Sequence, residues 1–427
     1  MTTSGFPDAP LRPGSPLPPA TIANVRHLLD RANVVCRYNV IKKKVEVEIP
    51  DHHGTLDNRD NVTMTAIIDL ATQSGMPHGL VPEYVNAIAD RNAYNPVADW
   101  ITSREWDGVD RFPDFAGTII THADYDSSLR DTLLRKWTRS AAAAAIRPNY
   151  KGRGVLTFQG RQGTGKTSWV KSLINDPTLR DSVVKLDHHL DASNKDSITS
   201  AISNWIVEIG ELDSSFKRDV ARLKGFLTAD FDRIRRPYDR RESEYPRRTV
   251  FIATVNDASF LVDRTGNTRW WTIAVESLDF QHTIDMQQVF AQAAHEVREG
   301  KSWVLDASEE TQLEAWNARH LTQSVIAEHL DDHIDHDRIG ADNLPALTAS
   351  QVLDLIGIKS PTNPQAKECG AALRDLLGEP KRIQGRMCWR VPIRRANAND
   401  LKTDVVGIRL KEWPAVSVNG CAPGEVF

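Results

Sequence analysis

Between Val155 and Ile174 an apolar run, VLTFQ, enters GRQGTGKT and leaves it through the helical pattern SWVKSLI, and no other stretch of the sequence leaves so few folds open. Glycines at 160, 163 and 165 let backbone N–H groups turn inward, and a helix start just beyond them adds positive potential, so this loop suits a phosphate. Strand, loop and helix in that order form a Walker A motif. Gly160, Gly163, Thr164, Gly165, Lys166, Thr167 and Ser168 are therefore expected to bind ATP, with Lys166 on the β- and γ-phosphates and the Thr167 hydroxyl on Mg²⁺. A chance match is the competing reading, and the fitting strand and helix on either side weigh against it.

A phosphate loop of this kind needs a sheet around it. From residue 151 to about 307, GVLTFQG, SVVKLD, WIVEIGE, TVFIATVN and RWWTIAV alternate with helical stretches, which predicts an α/β sheet covered by helices. Hydrolysis also needs a carboxylate that holds Mg²⁺ through water and an acid that orients the attacking water. In NWIVEIGELD, Glu208 closes an apolar strand and Glu211 follows one turn later, so Thr167 and Glu208 are the candidate metal residues. The bland alternative is a strand ending in solvated acids. Asn256 closes TVFIATVN, where its amide can hold the lytic water; an ordinary strand-capping Asn is equally compatible with the local pattern.

Around this centre the chain divides by composition. Residues 1–20 are rich in Pro, Gly and Ser and read as a flexible arm; 21–95 mix helical runs with the alternating RYNVIKKKVEVEI, predicting a small α+β domain. Residues 96–150 hold two helical patterns, a connector expected to serve oligomerisation, and the ATPase domain is expected over 151–320. Residues 340–400 offer a capping box from Thr348 to Gln351, an N-cap at Asn363 before Pro364, and KRIQGRMCWRVPI alternating about a Gln-Gly turn, which together suggest a winged helix ahead of a tail at 401–427. Lys381, Arg382, Arg386, Arg390, Arg394 and Arg395, along or just beyond its wing, suit duplex phosphates, with protein docking as the alternative. In HLDDHIDHD, His329, His333 and His336 stand at spacings that could bind a metal, while a solvated acidic linker helix accounts for them more simply.

A net charge of −4 excludes a protein that is basic all over, so DNA contact must be local. Seven arginines lie between Arg233 and Arg248, with Tyr238 and Tyr245 among them, a mixture that suits a single-strand track because arginines grip phosphates and bases stack on aromatics. A solvated hairpin balanced by Asp232, Asp239, Glu242 and Glu244 is the alternative. The four cysteines, Cys36, Cys369, Cys388 and Cys421, lack the paired spacing of a zinc module or a disulfide framework. No run approaches the ~18 apolar residues of a membrane span, so the expectation is a cytoplasmic protein with no membrane partner.

Three segments together, KGRGVLTFQGRQGTGKTSWVKSL, NWIVEIGELD with the following LKGFLTADFDRIRRPYDRRESEYPRRTVFIATVN, and FLVDRTGNTRWWTI, resemble the virulence-associated protein E family, relatives of superfamily 3 helicases carried by phages and mobile elements. The resemblance spans Pro96 to Ile273, including WDGVDR at Trp106 to Arg111. It implies an AAA+-like P-loop ATPase core in which Lys166, Glu208, Glu211, Asn256 and Arg269 are catalytic. By the same likeness Lys224, Arg233, Arg235, Arg236 and Tyr238 belong to a pore hairpin on single-stranded DNA, and Arg269 is an arginine finger acting on a neighbouring subunit. Thr268 stands where many relatives carry a second Arg, which leaves Arg264 as an alternative finger. The implied function is an ATP- and Mg²⁺-dependent replicative DNA helicase, a homo-oligomeric ring expected to be hexameric, that works on single-stranded and forked DNA beside a primase or other replication proteins. An ATP-dependent DNA-binding initiator or regulatory switch without unwinding activity is the alternative.

Overall fold

The computed structural model describes residues 5–9, 17–50, 55, 58–210, 220–234, 242–256, 267–320, 325–383 and 385–394. The chain forms two compact units, Met1–Thr322 and Gln323–Phe427, within a multidomain mixed α/β architecture.

The first unit begins with α1 (Ile22–Arg31), capped by the Thr21 hydroxyl, which accepts from the Asn24 N–H at 3.2 Å. Next come β1 (Val35–Asn39), β2 (Lys44–Glu48), α2 (Arg59–Gln73), α3 (Val81–Asp90) and β3 (Ala93–Tyr94), with β1 central in a three-stranded sheet. Val25, Leu29, Ile67, Val81 and Val85 form the core beneath it. At the β1–β2 turn Lys43 takes a positive φ of 54° and, although part of a KKK run, is buried, its ammonium donating to the carbonyls of Ile41 and Ile202.

Then follow α4 (Pro96–Ile101), α5 (Phe112–Gly117), β4 (Ile119–Thr121) and α6 (Ser127–Ile146). The main sheet uses β5 (Val155–Gln159), β6 (Val184–His188), β7 (Ile206–Ile209), β10 (Val250–Val255) and β11 (Trp270–Leu278); β8 (Phe231–Ile234) and β9 (Ser243–Pro246) form a separate antiparallel pair. Helices α7 (Lys166–Ser172), α8 (Pro177–Val183), α9 (Lys195–Ile202), α10 (Val220–Leu227), α11 (Met286–Arg298) and α12 (Ala307–Asn317) complete the unit. The sheet order is β4-β11-β5-β10-β7-β6, parallel except for edge strand β4. The stretch expected to be a helical connector thus also supplies a strand. Its Ala141–Ala145 run is buried, and the Trp137 indole N–H donates to the Phe251 carbonyl at 3.0 Å, so α6 is part of the sheet's cover. Because side chains alternate across a strand, Leu156, Phe158, Ile206 and Ile252 face α6 and α11, while Val155, Val207, Phe251 and Trp270 pack on the other face.

The second unit holds α13 (Val325–His333), β12 (Ala346–Leu347), α14 (Ala349–Leu355), α15 (Asn363–Leu377), β13 (Lys381–Ile383) and β14 (Arg386–Arg390), with sheet order β12-β14-β13. Thr348 and Gln351 form the expected capping box. The cap of α15 is Thr362, one residue before the expected Asn363, because Gln365 three positions on reaches back to its backbone N–H at 2.8 Å. The basic hairpin forms, with Gly385 at φ 80° in its turn. The acidic His-bearing segment is no solvated linker: Ile326, Leu330 and Ile334 recur every four residues and are buried in the unit's core. His329 and His333 stack at 6.1 Å, His336 pairs with Asp331, and among the described residues no three His, Cys, Asp or Glu side chains could hold a metal ion. Cys36, Cys369 and Cys388 are free thiols, and no described helix is long and apolar enough to cross a membrane.

Candidate functional site

Strand β5 lies inside a parallel sheet with both faces covered, which is why VLTF is buried at every position without alternation. It ends at Gly160, whose N–H donates to the Val255 carbonyl at 3.1 Å and where a Cβ would sit 2.4 Å from the Val275 carbonyl oxygen. Only glycine fits there, between the end of β10 and the backbone of β11. Gly163 and Gly165 hold φ of 86° and 90°, the left-handed region, and turn the chain into α7. Trp169 anchors α7 by an indole bond to the Thr118 hydroxyl at 2.8 Å and by stacking on Phe115.

Lys166 folds back over this loop. Its Nζ donates to the carbonyls of Gly160 (2.6 Å) and Arg161 (2.9 Å) and to Asn256 Oδ1 (3.0 Å), so the ammonium closes the loop and ties it to the end of β10. Burial lowers its pKa, opposed by the nearby Glu208 carboxylate. The Thr167 hydroxyl donates to Glu208 Oε1 at 2.6 Å. Glu208 is fully buried within IVEI, its other oxygen accepting from the Asp187 N–H at 3.2 Å. Burial pushes its pKa up; the Thr167 and Asp187 hydrogen bonds pull against that, and the Asp187 charge adds to it.

Asp187 is the residue that strand patterns miss. It stands one residue before the end of β6 with φ 49°, and a Cβ on Gly210 would lie 1.9 Å from its Oδ1, so the glycine after WIVEI is a steric requirement of a second carboxylate beside Glu208. An acid ending SVVKLD is its only trace in sequence.

The structure thus brings together Lys166, Thr167, Glu208 and Asn256. It does not bring Arg269 to them: Trp270 pairs with Val155, at the opposite end of β5 from Gly160, which puts Arg269 about 16 Å away at ~3.3 Å per residue. There Asn317 holds the carbonyls of Asn267 and Trp270, both at 2.9 Å, and Trp270 and Trp271 are core as expected. Arg269 lines a cavity of about 390 Å³ with Arg153, Thr228, Trp271 and Glu310. Glu211, Arg235, Arg236, Tyr238 and Arg264 lie outside the described residues. Lys224 is buried in α10, and Arg233 is exposed beside Glu244. Arg247, one of the seven clustered arginines, is buried in a two-pronged pair with Asp232 at 2.6 and 2.8 Å and sits over the Phe226 ring.

No curated protein matches the chain. Among solved structures it is similar to the A-form apo structure of the NrS-1 C-terminal region (305–718), with 14% identity over 86% of this chain and 98% of that one at a TM-score of 0.43. It is also similar to a further apo structure of that region, with 12% identity, the same coverage and a TM-score of 0.37. Residues 101–322, more than half of the chain and the stretch carrying the whole constellation just described, match the virulence-associated protein E-like domain, and the chain belongs to that family.

Proposed function

We propose that this protein is a nucleotide-dependent DNA-binding initiator or switch, which binds and hydrolyses ATP and uses it to assemble on DNA. The observation that carries the reading is the convergence of Lys166, Thr167, Glu208 and Asn256 at one end of the sheet, although Glu208 stands on β7 and the loop carrying Lys166 follows β5, two strands separated by β10. A lysine closing a glycine loop on its own carbonyls can exchange those acceptors for phosphate oxygens. Thr167 and Glu208 also fit Mg²⁺, which takes one or two protein oxygens and completes its shell with water and phosphate. A desolvated carboxylate with a raised pKa is one that a cation would satisfy. The ion would neutralise charge developing on the phosphates. Asn256, bonded to Lys166, stands where its amide can orient water, and Glu211 is the proposed acid for that water.

The placement of Arg269 supports an oligomer, because from its end of the sheet it can serve only a neighbour's site. The C-terminal unit, read as a winged helix, supplies a basic hairpin for duplex DNA or a protein partner. The β8–β9 pair favours a second reading, a ring helicase: it carries exposed Arg233 and leads toward Arg235, Arg236 and Tyr238.

Phosphate release and strand displacement on a forked substrate, measured with Mg²⁺-ATP, test both. Release that is lost in Lys166→Ala, with assembly on DNA but no displacement, is expected for the switch. Displacement would establish the helicase, and release unaffected by Lys166→Ala would overturn the nucleotide site itself.

A further inference from the structure

Phe280 is left unexplained by this scheme. Among the described residues, Phe231 and Phe280 are the exposed large aromatics, and Phe280, 42% exposed, stands against the glycine loop. A Cβ on Gly165 would meet its Cδ1 at 2.9 Å and Cε1 at 3.2 Å, so the ring edge rests where any other residue would put a side chain.

The backbone that presents it is pinned on both sides. Leu278 N–H donates to the Thr164 carbonyl at 2.9 Å, and Asp279 N–H to the Thr118 carbonyl at 2.9 Å. Asp279 Oδ1 then accepts from Gln281 N–H at 3.0 Å, closing a turn around Phe280. His282 Nε2 lies 3.0 Å from Ser172 Oγ; since that hydroxyl donates to the Trp169 carbonyl, the imidazole N–H is the donor, which ties the segment to α7. A large apolar ring is therefore held in water by a rigid frame touching the loop and its helix.

Resting on the nucleotide reading above, we infer that Phe280 is the platform on which the nucleobase of the bound triphosphate stacks. Stacking needs only a π-face, and every base has one. The site therefore recognises a nucleoside triphosphate by its phosphates and by the presence of a base, with weak preference among bases. A ring that merely shields the loop from water would matter equally for any phosphate ligand, base or none.

Binding of ATP and of inorganic tripolyphosphate to the full chain, both with Mg²⁺, separates the two roles. Phe280→Ala is expected to weaken ATP by roughly tenfold while tripolyphosphate changes by less than about twofold. Phe280→Trp should keep ATP affinity, with its emission quenched by ATP and not by tripolyphosphate. Equal losses for both ligands, or none for ATP, overturn the assignment. Lys166→Ala keeps the outcomes apart: tripolyphosphate binding that ignores it sinks the phosphate site, whereas sensitivity to Lys166→Ala with ATP indifferent to Phe280→Ala sinks the platform alone.

Discussion

Arg247 and Arg233 belong to one arginine-rich stretch, and the structure gives them opposite surroundings. The side chains of Arg247 and Asp232 are only 2% and 4% exposed, and Arg247 also donates to the Phe226 carbonyl at 2.9 Å. Arg247→Ala strands a buried carboxylate, a change that costs about 3–5 kcal/mol, whereas replacing both partners with apolar residues is often neutral or stabilising. At an m value of ~3 kcal/mol/M the single variant should lower the urea midpoint by roughly 1–1.7 M. Arg247→Met with Asp232→Leu should recover most of that. Arg233, 71% exposed, pairs loosely with Glu244 at 3.5 Å, so Arg233→Ala should leave the midpoint unchanged. Its loss should show instead in single-strand binding, as a log-log salt slope shallower by about 0.7. Unfolding in urea followed by tryptophan fluorescence, beside DNA titrations at several salt concentrations, reads both effects. A parental midpoint in Arg247→Ala together with a shallower slope would refute the division of labour and return Arg247 to the DNA.

Glu208→Gln should abolish Mg²⁺-dependent turnover yet raise the melting temperature without nucleotide. Burial raises the Glu208 pKa, so its contribution to stability is complete below the unfolded value of ~4.3 and is lost as pH rises through the folded one. The melting-temperature gain of the variant should therefore grow from pH 4 to pH 8, and a flat difference would count against the raised pKa. Gly210→Ala should cost about 1–3 kcal/mol by forcing Asp187 aside, and Asp187→Ala in the same chain should restore much of it; additive losses in the thermal melts would contradict the clash. Arg269→Ala and Lys166→Ala subunits should each be inactive alone and regain phosphate release when mixed, because mixed interfaces join an intact loop to an intact Arg269. No rescue in verified mixed oligomers would leave Arg269 a packing residue with no part in hydrolysis.

Local chemistry carried far in reading this chain from its residues. The glycine loop, the acid within WIVEI, the Asn closing TVFIATVN and the Thr348 cap are each decided within about ten residues, by backbone sterics and strand patterns. What escaped depends on partners remote in sequence. Lys43 reads as a solvent-facing member of a basic run until Ile202 supplies a carbonyl 159 positions away. Asp187 becomes part of the site only because Glu208 sits on the next strand. Phe280 looks like an apolar residue trailing off a strand, and its relation to Gly165 exists only once β11 lies beside β5. Arg247 was indistinguishable from its neighbours because composition cannot tell which member of a cluster turns inward.

Strand β10 has a mechanical consequence of its own. It starts three residues after the buried Arg247 and ends one residue before Asn256, and its backbone is laddered to β7 on one side and β5 on the other. Sliding it would break both ladders at once, so along its length it is stiff in tension. At ~3.3 Å per residue, Arg247 and Asn256 are the two ends of a tie rod about 30 Å long. Through Arg247, bonded to Asp232 on β8, and Asn256, bonded to Lys166, the rod therefore holds the β8–β9 pair and the glycine loop at a fixed separation.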